Sequence, residues 1–188
     1  DPEPARAYNN LGVAHKDLGQ KNEAFEAFKK AIEIDPGLAE AYNNLGVAYD
    51  GRGEKEKAIE AYRKAIELDA NPAEAYSNLG NIYSASRMYK EAIDCYEKAI
   101  LANPNYGNTY NNLGNVYKDK GSYKKAIELY RKALEFNPNP ISAVYNNLAL
   151  AYFLNKDYGL AVESYDRAIR LGHRPDPGFL KELEGHRR

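Results

Sequence analysis

The amino-acid sequence predicts an all-α fold in which pairs of helices stack on one another as a solenoid. The first observation is a Leu-Gly pair that recurs every 34 residues, at 11–12, 45–46, 79–80 and 113–114, with Leu148-Ala149 one residue late. The second observation is that sixteen of the 17 tyrosines fall on only four positions of this period. A fixed period of this length is typical of stacked helical units, because no single unit can bury its own apolar face.

Each unit contains two amphipathic helices when it is numbered so that the repeated Leu is position 7. Positions 3, 4, 7, 8, 10, 11 and 14 fall on one side of the first helix, and positions 20, 21, 24, 27 and 28 on one side of the second. Positions 20 and 27 are alanine in all five units, and position 24 is always aromatic. Small residues at 8, 20 and 27 allow the helices to approach closely, and the aromatic rings fill the remaining space.

Turn residues mark the ends of these helices. Position 15 follows the first helix and is glycine in three units, where a left-handed residue can end a helix without steric cost. Arg87 and Lys156 replace this glycine in the other two units. Pro36, Pro104 and Pro138 stop three of the second helices, because proline cannot continue a helix interior.

These motifs resemble the tetratricopeptide repeat (TPR), with Tyr in the place of the usual Trp at position 4. The resemblance implies a right-handed α-solenoid that forms one continuous domain. Its five repeats are expected at 5–38, 39–72, 73–106, 107–141 and 142–175, the fourth with a one-residue insertion. Ala70 and Ala149 depart from the Pro and Gly that the family usually has at these positions.

The segment 176–188 does not continue the repeat and predicts a C-terminal capping helix. Asp176 suits the N-cap, and Pro177 suits the first helical position. Phe179, Leu180 and Leu183 form an apolar stripe that would cover the end of the fifth repeat, as solenoids require. Docking of this helix into a groove or onto a partner is the alternative.

Composition limits the classes of partner. The 188-residue chain is 44% hydrophobic and 28% charged, and its formal net charge is −1, so it lacks the basic excess of a nucleic-acid-binding protein. No apolar run reaches the roughly 20 residues that cross a bilayer, so we expect no membrane insertion. One cysteine, Cys95, permits no internal disulfide, and the sequence leaves the cellular compartment open.

The sequence predicts no catalytic, cofactor or metal site. It contains no Gly-rich phosphate loop, no Gly-x-Ser-x-Gly and no His-Glu-x-x-His. His15 takes a core aromatic position, and His173 and His186 lack neighbours at metal-ligand spacing. Cys95 has no histidine partner of the kind that a catalytic thiol needs. We therefore expect a protein that is not an enzyme.

Asparagines on the first helices are the candidate binding residues. In the family, positions 2, 5, 6, 9, 12 and 13 of the first helix line a concave groove that binds extended peptides or partner helices. Here that stripe carries asparagines at position 6 (Asn10, Asn44, Asn78, Asn112 and Asn147), position 5 (Asn9, Asn43, Asn111 and Asn146) and position 9 (Asn81 and Asn115). An amide side chain both donates and accepts hydrogen bonds, so such a ladder could hold a peptide main chain. It is similar to the ladder in the TPR region of O-linked N-acetylglucosamine transferase, although it could instead only tie adjacent repeats together.

The charge of the groove positions favours a neutral or mildly basic protein or peptide, since their net charge is −2. Position 6 is never basic, so the clamp by which chaperone-tail TPR domains hold a C-terminal carboxylate is missing. Leu150, Phe153 and Leu154 form an apolar patch. This patch predicts either a pocket for an anchor side chain of a partner or a surface beneath the tail helix.

The leading hypothesis is a non-catalytic scaffold that binds a peptide or helix of a partner protein. Two alternatives stay open: the substrate-recruiting region of a larger enzyme such as a glycosyltransferase, and a self-assembly module that is a monomer or a weak homo-oligomer. RNA binding, as in pentatricopeptide arrays, is disfavoured because the groove is not basic.

Overall fold

A computed structural model of the chain describes residues 3–137 and 142–187. Within those ranges there are eleven α-helices and no strand, and consecutive helices pack in pairs as in an α-solenoid, so the predicted fold class is confirmed. The chain divides into two compact units, Asp1–Asn103 (unit 1) and Pro104–Arg188 (unit 2). The single continuous domain stays a prediction. The predicted helix stop at Pro138 lies outside the described residues.

Unit 1 contains three helical hairpins. Its helices are α1 (Glu3–Asp17), α2 (Lys21–Ile34), α3 (Ala39–Gly51), α4 (Lys55–Leu68), α5 (Ala73–Ala85) and α6 (Tyr89–Ala102). Within the hairpins, α1 packs on α2, α3 on α4 and α5 on α6; between hairpins, α2 packs on α3 and α4 on α5. The first helices of successive hairpins also touch, α1 with α3 and α3 with α5, so they share one face of the unit.

Unit 2 contains two hairpins and a short final helix. Its helices are α7 (Gly107–Asp119), α8 (Tyr123–Glu135), α9 (Ser142–Leu154), α10 (Tyr158–Arg170) and α11 (Pro177–Glu184). The hairpins α7–α8 and α9–α10 join through α8 on α9, and the first helices α7 and α9 touch. The final helix α11 packs on α10.

In four of the hairpins, an aromatic ring of the second helix packs directly on a glycine of the first helix. A Cβ on Gly46 would lie 2.6 Å from Cε1 of Tyr62, and Gly12, Gly80 and Gly114 face Phe28, Tyr96 and Tyr130 in the same way. The rings are almost fully buried. The glycine at position 8 is therefore required by the close approach of the second helix, as the spacing of small residues predicts.

Left-handed residues end the first helices, as predicted. Gly19, Gly53 and Gly121 have φ values of 75°, 76° and 76°. Arg87 and Lys156 take up the same conformation, with φ values of 58° and 69°. A side chain in this conformation costs roughly 1 kcal/mol, so the tertiary structure imposes the turn even where glycine is absent.

The final helix begins with the predicted cap. Oδ1 of Asp176 accepts a hydrogen bond of 2.7 Å from the backbone N–H of Phe179, and Pro177 opens the helix. Leu183 is fully buried, and the ring of Phe179 lies 4.9 Å from that of Tyr165. The apolar stripe of α11 thus packs on the last hairpin.

None of the helices in the described ranges is long and apolar enough to cross a bilayer.

Candidate functional site: the asparagine ladder

In unit 1, side-chain hydrogen bonds join the asparagines of successive first helices. Nδ2 of Asn44 in α3 donates to Oδ1 of Asn9 in α1 at 2.9 Å, and Nδ2 of Asn78 in α5 donates to Oδ1 of Asn43 in α3 at 3.1 Å. In both pairs the position-6 amide donates to the position-5 amide of the preceding repeat. A hydrogen bond of this kind contributes about 1 kcal/mol to stability.

The same link occurs in unit 2. Nδ2 of Asn147 in α9 donates to Oδ1 of Asn111 in α7 at 3.1 Å. Nδ2 of Asn111 in turn donates to Oδ1 of its neighbour Asn112 at 3.3 Å. All three side chains are half-buried, so these amides are both held in place and accessible from the surface.

The position-5 amides of unit 1 do not face the groove in the way that the sequence analysis places them. Asn9 is 1% exposed and Asn43 is 7% exposed, and each accepts a hydrogen bond from the next hairpin. The physical reason is that position 5 lies at the edge of the first helix that the following hairpin covers. These two amides tie repeats together, and they have almost no surface to offer a ligand.

One amide in each unit, Asn10 in unit 1 and Asn146 in unit 2, has no side-chain hydrogen-bond partner among the described residues. Asn10 is exposed. Asn146 is half-buried, and no later first helix in unit 2 supplies a donor. Neither side chain makes a hydrogen bond within the described part of the chain, so both keep their full capacity to bind a ligand.

Tyrosines of the second helix orient the position-9 amides, a relation that the sequence analysis missed. The hydroxyl of Tyr96 donates to Oδ1 of Asn81 at 2.8 Å, and the hydroxyl of Tyr130 donates to Oδ1 of Asn115 at 2.7 Å. Burial raises the pKa of both hydroxyls, so they remain protonated donors. The tyrosine hydroxyl thereby restrains the amide oxygen of each asparagine. The signal was available, because asparagine stands at position 9 only in the two repeats whose tyrosines take this role.

A small cavity of about 170 Å³ lies beside the ladder in unit 1. Phe28, Asn44 and Val47 form part of its wall, and the cationic side chains of Lys16, Lys21 and Arg52 also line it. It is large enough for one small apolar side chain. Arg52 is fixed there because its guanidinium lies 3.6 Å from the ring centre of Phe25 and donates to Asn22.

The predicted apolar patch in α9 is partly covered. The ring of Phe153 lies 5.4 Å from that of Phe179 in α11, while Leu150 is half-buried and Leu154 is exposed. The contact favours the second of the two interpretations, in which the patch packs beneath the tail helix.

The residues considered for chemistry take structural positions. Cys95 is 5% exposed, and burial raises the pKa of its thiol to about 11, so the reactive thiolate is disfavoured. The ring of His186 stacks on that of Tyr158 at 3.8 Å, and Nδ1 of His15 contacts Oε1 of Gln20. Across residues 3–137 and 142–187, no group of three or more His, Cys, Asp or Glu side chains is arranged to hold a metal ion.

The repeat motif matches models of a known family. Residues 71–139 match one model described as tetratricopeptide repeat, and residues 5–38, 39–72 and 142–173 match a second model of the same description. The chain belongs to the tetratricopeptide repeat family. No curated protein sequence matches this TPR chain significantly.

Solved structures of TPR proteins are similar to this chain. PilF of Pseudomonas aeruginosa is 28% identical over 92% of this chain and 78% of its own, with a TM-score of 0.84. MamA is 32% identical over 86% of this chain and 94% of its own, with a TM-score of 0.72. YrrB, described as a TPR protein with an unusual peptide-binding site, is 20% identical over 95% of this chain and 90% of its own. Its TM-score of 0.68 shows a shared fold.

Proposed function

We propose that this chain is a non-catalytic interaction scaffold whose first helices bind an extended peptide or a helix of a partner protein. The observation that carries the proposal is that hydrogen bonds within the protein already fix the orientation of the surface amides. Asn78 and Asn147 are half-buried, and each uses one N–H in the ladder and keeps the second N–H and the amide oxygen, whereas Asn44 is 8% exposed and belongs with the buried links. Because these amides are already ordered, ligand binding does not incur the entropy cost of ordering them.

Main-chain recognition suits this set of groups. Amides present donors and acceptors without charge, so they can pair with the N–H and C=O groups of a peptide whatever its side chains are. The similarity to the amide ladder of O-linked N-acetylglucosamine transferase belongs to this proposal, as does the peptide binding described for YrrB. Recruitment of substrates to a larger enzyme is one form that this function would take.

The cavity beside Asn44 would supply side-chain selectivity. Its apolar wall accepts a small aliphatic side chain, and Lys16, Lys21 and Arg52 disfavour a basic residue next to it. A neutral or acidic residue of the ligand is therefore expected at this point in unit 1. The preference for a neutral or mildly basic partner continues to apply to the groove positions as a whole.

Single asparagine variants test the proposal. Peptides are selected from a random-sequence phage library on the immobilised chain, synthesised with a fluorophore, and titrated by fluorescence anisotropy. We expect at least one of Asn10→Ala, Asn78→Ala and Asn115→Ala to weaken binding about 3- to 10-fold, the effect of one hydrogen bond. N-methylation of the main-chain amides of the peptide, one residue at a time, should weaken binding further.

Two control variants separate binding from stacking. Asn9→Ala removes the buried acceptor beside Asn10 and should lower the free energy of unfolding by about 1–2 kcal/mol. Asn71→Ala removes an exposed amide from a loop and should change neither the affinity for the peptide nor the free energy of unfolding. The proposal is wrong if all three binding variants and the N-methylated peptides retain the original affinity.

A further inference from the structure

A polar hollow of about 380 Å³ lies in unit 2, between α8, α9 and α10. It is separate from the asparagine ladder, and nothing described above uses it. Its polar lining consists mainly of Arg131, Arg167 and Arg170, with Tyr145, Tyr152 and Glu163 beside them. We call it the arginine hollow.

The arginine hollow has an uncompensated positive charge. Three guanidinium groups and one carboxylate give its lining a net charge of +2. None of the three arginines forms an ion pair with a carboxylate in the described residues of unit 2, although Glu163 and Arg167 are one turn apart on α10. Arginine stays charged at any physiological pH, so this excess does not disappear by deprotonation.

One of the three guanidinium groups is held in place. Nε and Nη2 of Arg131 donate to the hydroxyl oxygen of Tyr152 at 3.0 and 2.6 Å. Tyr152 is 4% exposed, so its ring is a rigid support. Because the oxygen accepts these bonds, the hydroxyl proton remains available to donate. The remaining N–H groups of Arg131, with those of Arg167 and Arg170, can converge on an anion in the hollow.

The equivalent hollow of unit 1 has the same framework with a lower net charge of +1, because Arg63, Lys90 and Lys98 stand against Glu91 and Asp94. It measures about 520 Å³, and Arg63 donates to the hydroxyl of Tyr83 at 3.2 Å just as Arg131 does to Tyr152. There, however, Nζ of Lys98 pairs with Oδ2 of Asp94 at 2.8 Å, and a second acid, Glu91, lines the wall. Leu160 stands in place of Glu91 in unit 2, and Arg170 in place of Leu101. These two exchanges raise the charge by two, and Gly159 in place of Lys90 lowers it by one, so the arginine hollow carries one more positive charge than the hollow of unit 1.

We propose that the arginine hollow binds a phosphomonoester group carried by a side chain of a partner protein. Such a group has a charge close to −2 at neutral pH, which matches the +2 of the hollow, whereas a carboxylate would neutralise only half of it. Guanidinium groups bind phosphate oxygens through paired N–H donors, and three of them can engage three oxygens. The site needs neither the ladder nor the groove, so it is independent of the proposed function.

Titration with matched short peptides tests this site. The probes are N-acetylated, C-amidated Gly-phosphoserine-Gly, the same peptide with Glu or Ser at the centre, and inorganic phosphate, each followed by ¹H–¹⁵N NMR. The phosphopeptide should shift the side-chain Nε–H signals of Arg167 and Arg170 to saturation. The Glu peptide should bind at least about 10-fold more weakly, and the Ser peptide should cause no saturable shift.

Variants in the two hollows supply the control. Arg167→Gln with Arg170→Gln removes two exposed donors and should abolish saturable binding, with an unchanged circular dichroism spectrum. Lys98→Gln in unit 1 should leave the affinity for the phosphopeptide unchanged. The proposal fails if the Glu peptide and the phosphopeptide bind equally, if the double variant binds normally, or if the shifts spread evenly over the basic residues of both units. Tighter binding of inorganic phosphate than of phosphopeptide would overturn the assignment to a protein partner.

Discussion

The hairpin α5–α6 of unit 1 and the hairpin α9–α10 of unit 2 place a tyrosine against the first helix at the same position of the repeat. In α5–α6 the ring of Tyr96 lies on Gly80, where a Cβ would come within 2.7 Å of Cε1. In α9–α10 the equivalent pair is Tyr165 and Ala149, and both are fully buried. The same repeat therefore accommodates the ring in two ways, and an extra methyl group fits only in the second.

The tyrosine hydroxyls differ as well. That of Tyr96 donates to Asn81 on the first helix, whereas that of Tyr165 accepts a 2.7 Å hydrogen bond from the backbone N–H of Asp176 at the start of α11. One tyrosine thus orients a surface amide, and the other holds the final helix. The comparison shows that tyrosine at one position of the repeat can orient a surface amide in one hairpin and hold the final helix in another.

Exchanging the small residues beneath the two rings should give the largest effects. Gly80→Ala forces the buried Tyr96 ring to move and should lower the free energy of unfolding by about 2 kcal/mol, because overpacking outweighs the gain in helix propensity. Ala149→Gly should lower it by about 1 kcal/mol through lost propensity alone. Urea denaturation followed by circular dichroism measures both, and a stabilised Gly80→Ala variant would contradict the distinction.

Removing the hydroxyls should separate their two functions. Tyr165→Phe leaves the N–H of Asp176 without its partner and should cost about 1 kcal/mol, with faster amide hydrogen exchange in α11. Tyr96→Phe removes one hydrogen bond from an exposed amide and should cost less, while exchange in α11 stays the same. Equal exchange rates of α11 in the Tyr165→Phe variant and the unaltered chain would show that this bond does not hold the helix.

The smallest effect concerns a feature that the two hairpins share. Arg87 and Lys156 both occupy left-handed turns, so Arg87→Gly and Lys156→Gly should each raise the free energy of unfolding by about 0.5 kcal/mol. The gain is modest because glycine also increases the entropy of the unfolded chain. Urea midpoints of the single variants and the double variant provide the measurement, and additive gains are expected. A loss of stability in either variant would mean that the side chain makes a compensating contact.

The helix pairs and their ends could be predicted from the sequence because they depend on local chemistry. The 34-residue period, glycine at position 15 and Asp176 at an N-cap act within a few residues of where they stand, and the helices of the structure follow them. The aromatic rings at position 24 are buried as the spacing predicted, whereas Tyr8 and Leu11, on the predicted core face of α1, are 39% and 45% exposed.

The hydrogen bonds of the asparagine ladder could not be predicted from the sequence of a single helix. A helical wheel places positions 5 and 6 side by side, and only the neighbouring hairpin makes Asn43 buried and Asn78 a donor. The arginine hollow was missed for a related reason. Its arginines lie on two different helices, and their significance depends on their excess over the one acid beside them, Glu163, which becomes visible only when the charges are compared in three dimensions.

The amide link in unit 1 has a consequence for how such a protein can lengthen. Each bond runs from position 6 of one repeat to position 5 of the repeat before it. The same bond can therefore form between any two successive repeats that carry asparagine at these positions. A tandem duplication of residues 39–72 would insert a copy whose own Asn44 meets Asn9 and whose own Asn43 meets the original Asn44. The new segment would satisfy both neighbours without any compensating substitution, so gene duplication could extend this scaffold in a single event.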